Sequence, residues 1–164
     1  MAESSTPGLE EVNHYFAVTY NSRFWRLSEK KDHSVEELDE MISLAHASLL
    51  HWTDSPKCKQ VNLARGEYVI ALAYFLAGKG VNALYHAEKC RMITDGNAAE
   101  MRDFDLAHCS LIQGMALHLN HRKEESHQLL VEARRLGELI LGEKDKAIFF
   151  SDLGQAEEWM KREA

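Results

Sequence analysis

The chain is predicted to be a single all-α domain built from antiparallel helix hairpins, about seven helices in all. Three observations predict it. Apolar residues recur at three- and four-residue steps in successive segments, and only two prolines, Pro7 and Pro56, interrupt 164 residues. No segment alternates with period two for long enough to make a strand. Short polar turns join the segments, which sets consecutive helices antiparallel and leaves a bundle or a solenoid as the architecture.

Residues 1–8 are small and polar and are expected to form a disordered tail, which leaves 9–164 as one domain. They lack the charged start and apolar core of a signal peptide. In the first helix Val12, Phe16, Tyr20, Phe24 and Leu27 line one face. Ser34 and Glu37 form a capping box that opens the second, whose core stripe is expected at Leu38, Ile42, Ala45, Leu49 and Trp52. After the loop Thr53 to Lys59, the third helix spans roughly Asn62 to Ala77 and is apolar almost all round. The turn Gly78-Lys79-Gly80 leads to a fourth with Ala83, Ala87 and Cys90, ended by Asp95-Gly96. Asn97 and Glu100 supply a cap-like start for the fifth, which runs to Leu119. Asn120-His121 turns the chain into the sixth, stopped by Gly142, and Phe149, Leu153, Ala156 and Met160 define the seventh.

Composition excludes several function classes. Lys and Arg total 19 against 26 Asp and Glu, a formal charge of −7, and no basic stripe interleaves with aromatics, so nucleic acid is not an expected partner. The longest apolar run, Tyr68 to Ala77, is about half of a membrane span and reads as a buried helix. Cys58, Cys90 and Cys109 make an odd count without paired spacing, which fits a reducing, cytoplasmic setting.

A repeat is visible. Ala71, Tyr74, Gly78, Ala83, Ala87 and Cys90 put small residues where two helices of a hairpin approach closely, with a glycine at the turn. Gly114, Leu117, Ser126, Leu130 and Ala133 reproduce the pattern 43 residues downstream, with Asn120 in the place of the turn glycine. The spacing resembles a tetratricopeptide repeat, although that consensus period is roughly 34 residues. The strings Ala45-His46-Ala47-Ser48, His51-Trp52, Arg65-Gly66-Glu67, Tyr85-His86-Ala87 and Phe104-Asp105-Leu106-Ala107 resemble a group of uncharacterised bacterial tetratricopeptide-like proteins, from about Leu38 onward. The resemblance implies a short superhelix and a cytoplasmic setting, and it implies no activity. In this register Arg65, Tyr68, Leu72 and Phe75 line a concave groove with Asp105, His108, Leu111, Met115 and His118. Such a groove suits an extended peptide or partner helix carrying a carboxylate, with Asp105 orienting the His108 imidazole. Filling by the seventh helix or by a second subunit is the competing expectation.

Candidate chemistry is sparse. Three acid-x-x-His pairs occur, Glu11 with His14, Asp105 with His108 and Glu124 with His127, where composition alone gives about 1.4. A di-iron bundle needs two further inward carboxylates, so no metal or other cofactor is predicted. His46 and His51 point about 140° apart on their helix and do not grip one ion together. There is no His-Glu-x-x-His run, no Cys-x-x-Cys and no Gly-x-Ser-x-Gly elbow. Glu67 falls on a face directed at neighbouring helices, where an ionised carboxylate is costly unless paired. It is therefore expected to bond His86 or His46 in a buried polar cluster. The leading expectation is a non-enzymatic protein- or peptide-binding or assembly module, with a protein partner or a second copy in a homodimer. The alternative is a small-molecule or metal-binding sensor or enzyme using Glu67, Arg65, His86 and Asp105.

Overall fold

The computed structural model describes residues 8–162, and these form seven α-helices: α1 (Leu9–Ser28), α2 (Val35–Thr53), α3 (Gln60–Leu76), α4 (Gly80–Gly96), α5 (Asp103–Leu119), α6 (Lys123–Glu138) and α7 (Glu143–Arg162). A single 3-10 turn, Ala98–Glu100, precedes α5, and no strand occurs among the described residues. The tail expected at 1–8 lies outside the described residues except for Gly8, whose carbonyl accepts from Glu11 and Val12 and opens α1. No helix is long and apolar enough to cross a membrane, among the described residues.

Each helix packs on the next, and α3, α5 and α7 also pack on one another in series, which stacks the hairpins. Phe24, Met41, Ile70, Phe75, Leu111, Ile112, Phe149 and Leu153 are the large side chains fully removed from water, and they form one core through the stack. The first helix stands apart: α1 packs on α2 and on no other helix to a comparable extent.

Local signals placed most boundaries. The Ser34 box is made, with Glu37 N–H donating to Ser34 Oγ (3.3 Å) and Ser34 N–H to Glu37 Oε2 (3.0 Å). The start expected at Asn97 opens only the 3-10 turn, and α5 begins at Asp103. Asn97 Nδ2 donates to the Ile93 carbonyl (2.8 Å), which closes α4, and Glu100 accepts from the Gln60 N–H (3.0 Å), which opens α3 from a distance. The real opening of α5 has Asp105 Oδ2 accepting from Arg102 N–H (3.0 Å). Gly142 does not stop α6, which ends at Glu138; it immediately precedes α7. The buried stripe of α2 is Met41, Leu44, Ala45 and Ser48, turned from the expected one because α2 is clasped between α1 and α3. Ser48 Oγ donates to the Ala17 carbonyl (2.8 Å), and Leu49 lies where a Cβ on Gly66 would fall 2.6 Å away.

The 43-residue repeat is carried through to the backbone. Gln60 and Asp103 open α3 and α5, Leu76 and Leu119 close them, and Gly80 and Lys123 open α4 and α6. The register differs from expectation at the turn. Gly78 (φ 69°) is matched by His121 (φ 60°), not by Asn120. Asn120 instead donates through Nδ2 to the Gly80 and Ala116 carbonyls, both at 2.7 Å, and so ties the second hairpin to the first. Within the second hairpin, Ser126 Oγ donates to the Gly114 carbonyl (2.7 Å), and a Cβ on Gly114 would sit 2.9 Å from Leu130 Cγ. That close approach needs glycine.

Candidate functional site

Three regions hold the polar chemistry. The first lies where α2, α3 and α4 meet. Glu67 is 3% exposed, and its Oε2 accepts from His86 Nδ1 at 2.6 Å while Lys89 Nζ pairs with Oε1. Burial pushes the Glu67 carboxyl up, but the hydrogen bonds from His86 and Lys89 and the charges of both outweigh it, so the net shift is down. The His86 ring stacks on Tyr74 (centroids 5.6 Å apart, planes 18° apart) and meets the edges of His46 and Tyr85. His46 joins through Tyr74, its Nε2 lying 3.1 Å from the hydroxyl, and has no bond to Glu67. Burial, then the neighbouring His86, hold the His46 imidazole below its ordinary value. With Nδ1 committed to Glu67, His86 keeps Nε2 without a protein partner among the described residues. The only buried side-chain nitrogen or oxygen lacking a partner among the described residues is His14 Nδ1, so His86 Nε2 reaches solvent.

The second region is the inner layer, where the concave groove was expected. Here α7 lies over α5, and the face is filled. Tyr68, Phe75, Asp105, His108, Leu111 and Met115 are buried, Leu72 and His118 are half-buried, and Arg65 is exposed at the edge. Phe75 packs against Trp159 of α7 (centroids 4.3 Å). Arg65 spends its fork on Asp105, with Nε to Oδ1 at 2.7 Å and the second bond at 3.0 Å. Asp105 therefore does not orient His108. That imidazole sits with Nδ1 3.1 Å from the Phe104 carbonyl and Nε2 3.0 Å from Asp152 of α7, so both nitrogens face protein acceptors. Burial, then the charge of Asp152, push the Tyr68 hydroxyl well up. The groove residues are thus brought together, but around a helix of the same chain.

The acid-x-x-His pairs do not converge, and no group of three or more His, Cys, Asp or Glu side chains that could hold a metal occurs among the described residues. His51 lies with Nδ1 2.8 Å from Asn13 Oδ1, away from the His46 cluster.

The third region was not anticipated from the sequence. The helices α6 and α7 splay apart and leave an open groove of about 460 Å³, reached also by the end of α5. Leu130, Val131 and Met160 supply its apolar lining, and His118, Lys123, His127 and Lys161 line it as well. Its one carboxylate, Glu157, is taken by Arg134 at 2.6 Å. Neither Lys123 nor Lys161 forms an ion pair among the described residues. Burial, then the charge of Lys123, hold His118 below its ordinary value. The signal was legible as a stripe at Lys123, His127, Leu130, Val131 and Arg134, one face of α6 mixing cations with aliphatics. Compared with protein-family models, with curated proteins and with solved structures, the chain matches none.

Proposed function

We propose that this protein is a non-enzymatic binding module of the tetratricopeptide-like kind, cytoplasmic, that docks an acidic amphipathic helix between α6 and α7. The observation that carries this reading is the groove itself: Lys123 and Lys161, which enter no ion pair among the described residues, with His127 beside an apolar lining, in a chain of net charge −7. From Lys123 to Arg134 the lined stretch of α6 runs about 16 Å, three turns of helix, which is longer than a small metabolite and suits a helix laid in a groove. The apolar lining supplies affinity. The rim cations supply orientation and on-rate, since exposed ion pairs contribute only about 0–1 kcal/mol each.

The test is fluorescence anisotropy with a synthetic helix carrying Leu and Met on one face and Glu on its flanks, against the same helix with Lys on its flanks. The acidic helix is expected to bind, to weaken with salt, and to be lost to the double variant Lys123→Glu, Lys161→Glu. Equal binding of both helices, or no effect of the double variant, overturns the reading. Stabilisation of the fold by a metabolite or a transition metal, abolished by His86→Leu, would favour the small-molecule alternative at the Glu67–His86 pair instead.

A further inference from the structure

The open end of the stack offers a second surface, independent of the α6–α7 groove. One face of α1, formed by Phe16, Ala17, Tyr20, Phe24 and Leu27, turns toward α2. The opposite face carries Glu11, Tyr15, Val18, Ser22, Trp25 and Arg26, all within about 100° of arc at 100° per residue. Its apolar members are exposed, Tyr15 by 63%, Val18 by 44% and Trp25 by 36%. No helix among the described residues covers this face, whereas at the other end of the stack α7 covers α5.

Two features of that face say what covers it. The ion pairs of this region join Arg23 to Glu40 and Lys30 to Glu37, while Glu11 and Arg26 enter none among the described residues. An unpaired acid thus stands at one end of the stripe and an unpaired base at the other. At the acidic end lies a groove of about 440 Å³ lined by Glu11, His14, Tyr15, Val18, Thr19 and Lys57. At the basic end stands Trp25. A two-fold axis near Val18 and Thr19 sets a second α1 antiparallel to the first. It brings Arg26 of each copy to Glu11 of the other and seats each Trp25 in the facing groove, where its ring meets Lys57. A parallel arrangement puts like charges together and leaves the groove empty.

We infer that α1 is the interface of a symmetric, antiparallel homodimer, with Glu11 and Arg26 setting its register and Trp25 as its anchor. Sedimentation equilibrium over a concentration series, with circular dichroism to confirm unchanged helicity, tests it. The wild-type chain sediments as a concentration-dependent dimer, and Val18→Asp leaves only monomer. Glu11→Arg and Arg26→Glu each weaken self-association by roughly tenfold, because each places like charges at both ends. An equimolar mixture of these two variants recovers a dimer, since every contact then joins opposite charges. A monomeric wild type, a dimeric Val18→Asp, or a mixture that fails to recombine overturns the proposal. The variant Lys123→Glu, Lys161→Glu dimerises as wild type, so a failure of the groove reading leaves this result untouched.

Discussion

The hairpin α3–α4 and the hairpin α5–α6 are two copies of one backbone, and they differ in the polar groups they bury. Their helices begin at positions 43 residues apart, and each turns through a residue with positive φ. Yet Glu67 is matched by Ser110, His86 by Leu129 and Lys89 by Glu132. Ser110 is fully buried and is satisfied by Arg91 of the preceding hairpin at 3.1 Å, with no carboxylate and no histidine. The framework therefore does not require the Glu67–His86 pair. What it requires is a small or satisfied polar group at that depth, and the first copy meets the requirement with an ion pair that leaves one imidazole nitrogen to solvent. A second contrast follows between histidines. His86 keeps Nε2 available, whereas His108 has both nitrogens facing protein acceptors beneath α7. Of the two, only His86 has a ring nitrogen with no protein acceptor among the described residues.

The comparison is broken most directly by removing Glu67. Glu67→Ala leaves His86 and Lys89 around an empty site and is expected to cost about 3 kcal/mol, against about 1 kcal/mol for Ser110→Ala. Transplanting the second copy's pair, Glu67→Ser with His86→Leu, should recover most of that loss. Urea midpoints at fixed m-value decide it, and a transplant no more stable than Glu67→Ala would show that the first copy depends on its charges.

A smaller effect is the acid response. The folded state holds Glu67 below its ordinary value of 4.5, so the unfolded chain binds more protons between the two values. The Glu67 contribution to stability is thus full above 4.5 and is lost as pH falls through the folded value. His46, held below 6.5, adds a loss of the same sign that begins as pH drops past 6.5. Melts of wild type and Glu67→Gln from neutrality to about pH 3 should diverge in slope most below about 4.5, with a smaller divergence below 6.5 because the Glu67 charge also raises His46. Parallel curves there would remove the ion pair from the account.

The smallest difference is in the turns. Gly78 occupies the left-handed region at no steric cost, whereas His121 occupies it with a Cβ. His121→Gly should add about 0.5 kcal/mol after the extra freedom of the unfolded chain is allowed for, and Gly78→Ala should remove about as much. Thermal midpoints that move the same way in both variants would contradict the matched geometry.

The helices, their approximate ends and the 43-residue copy were legible in the residues because each is a local matter: spacing at 3.6 residues, a capping pair at Ser34 and Glu37, a glycine at a turn. Burial of Glu67 near His86 was legible for the same reason, since the helical period alone directs both at neighbouring helices. The start of α5 differs from its expected place because Asn97 and Glu100 have two uses, and the choice between them lies with Ile93 and the start of α3, the latter 40 residues away from Glu100.

What the sequence by itself determined is the list of helices and the face each must hide, because side-chain period follows from backbone geometry. Only the tertiary structure decided that α7 folds back over the inner layer, that Arg65 is consumed by Asp105 and His108 by Asp152, and that the open grooves lie beside α6 and α1 instead. Those outcomes depend on contacts across about 40 residues, such as Arg65 with Asp105 and His108 with Asp152, whose partners no local pattern names.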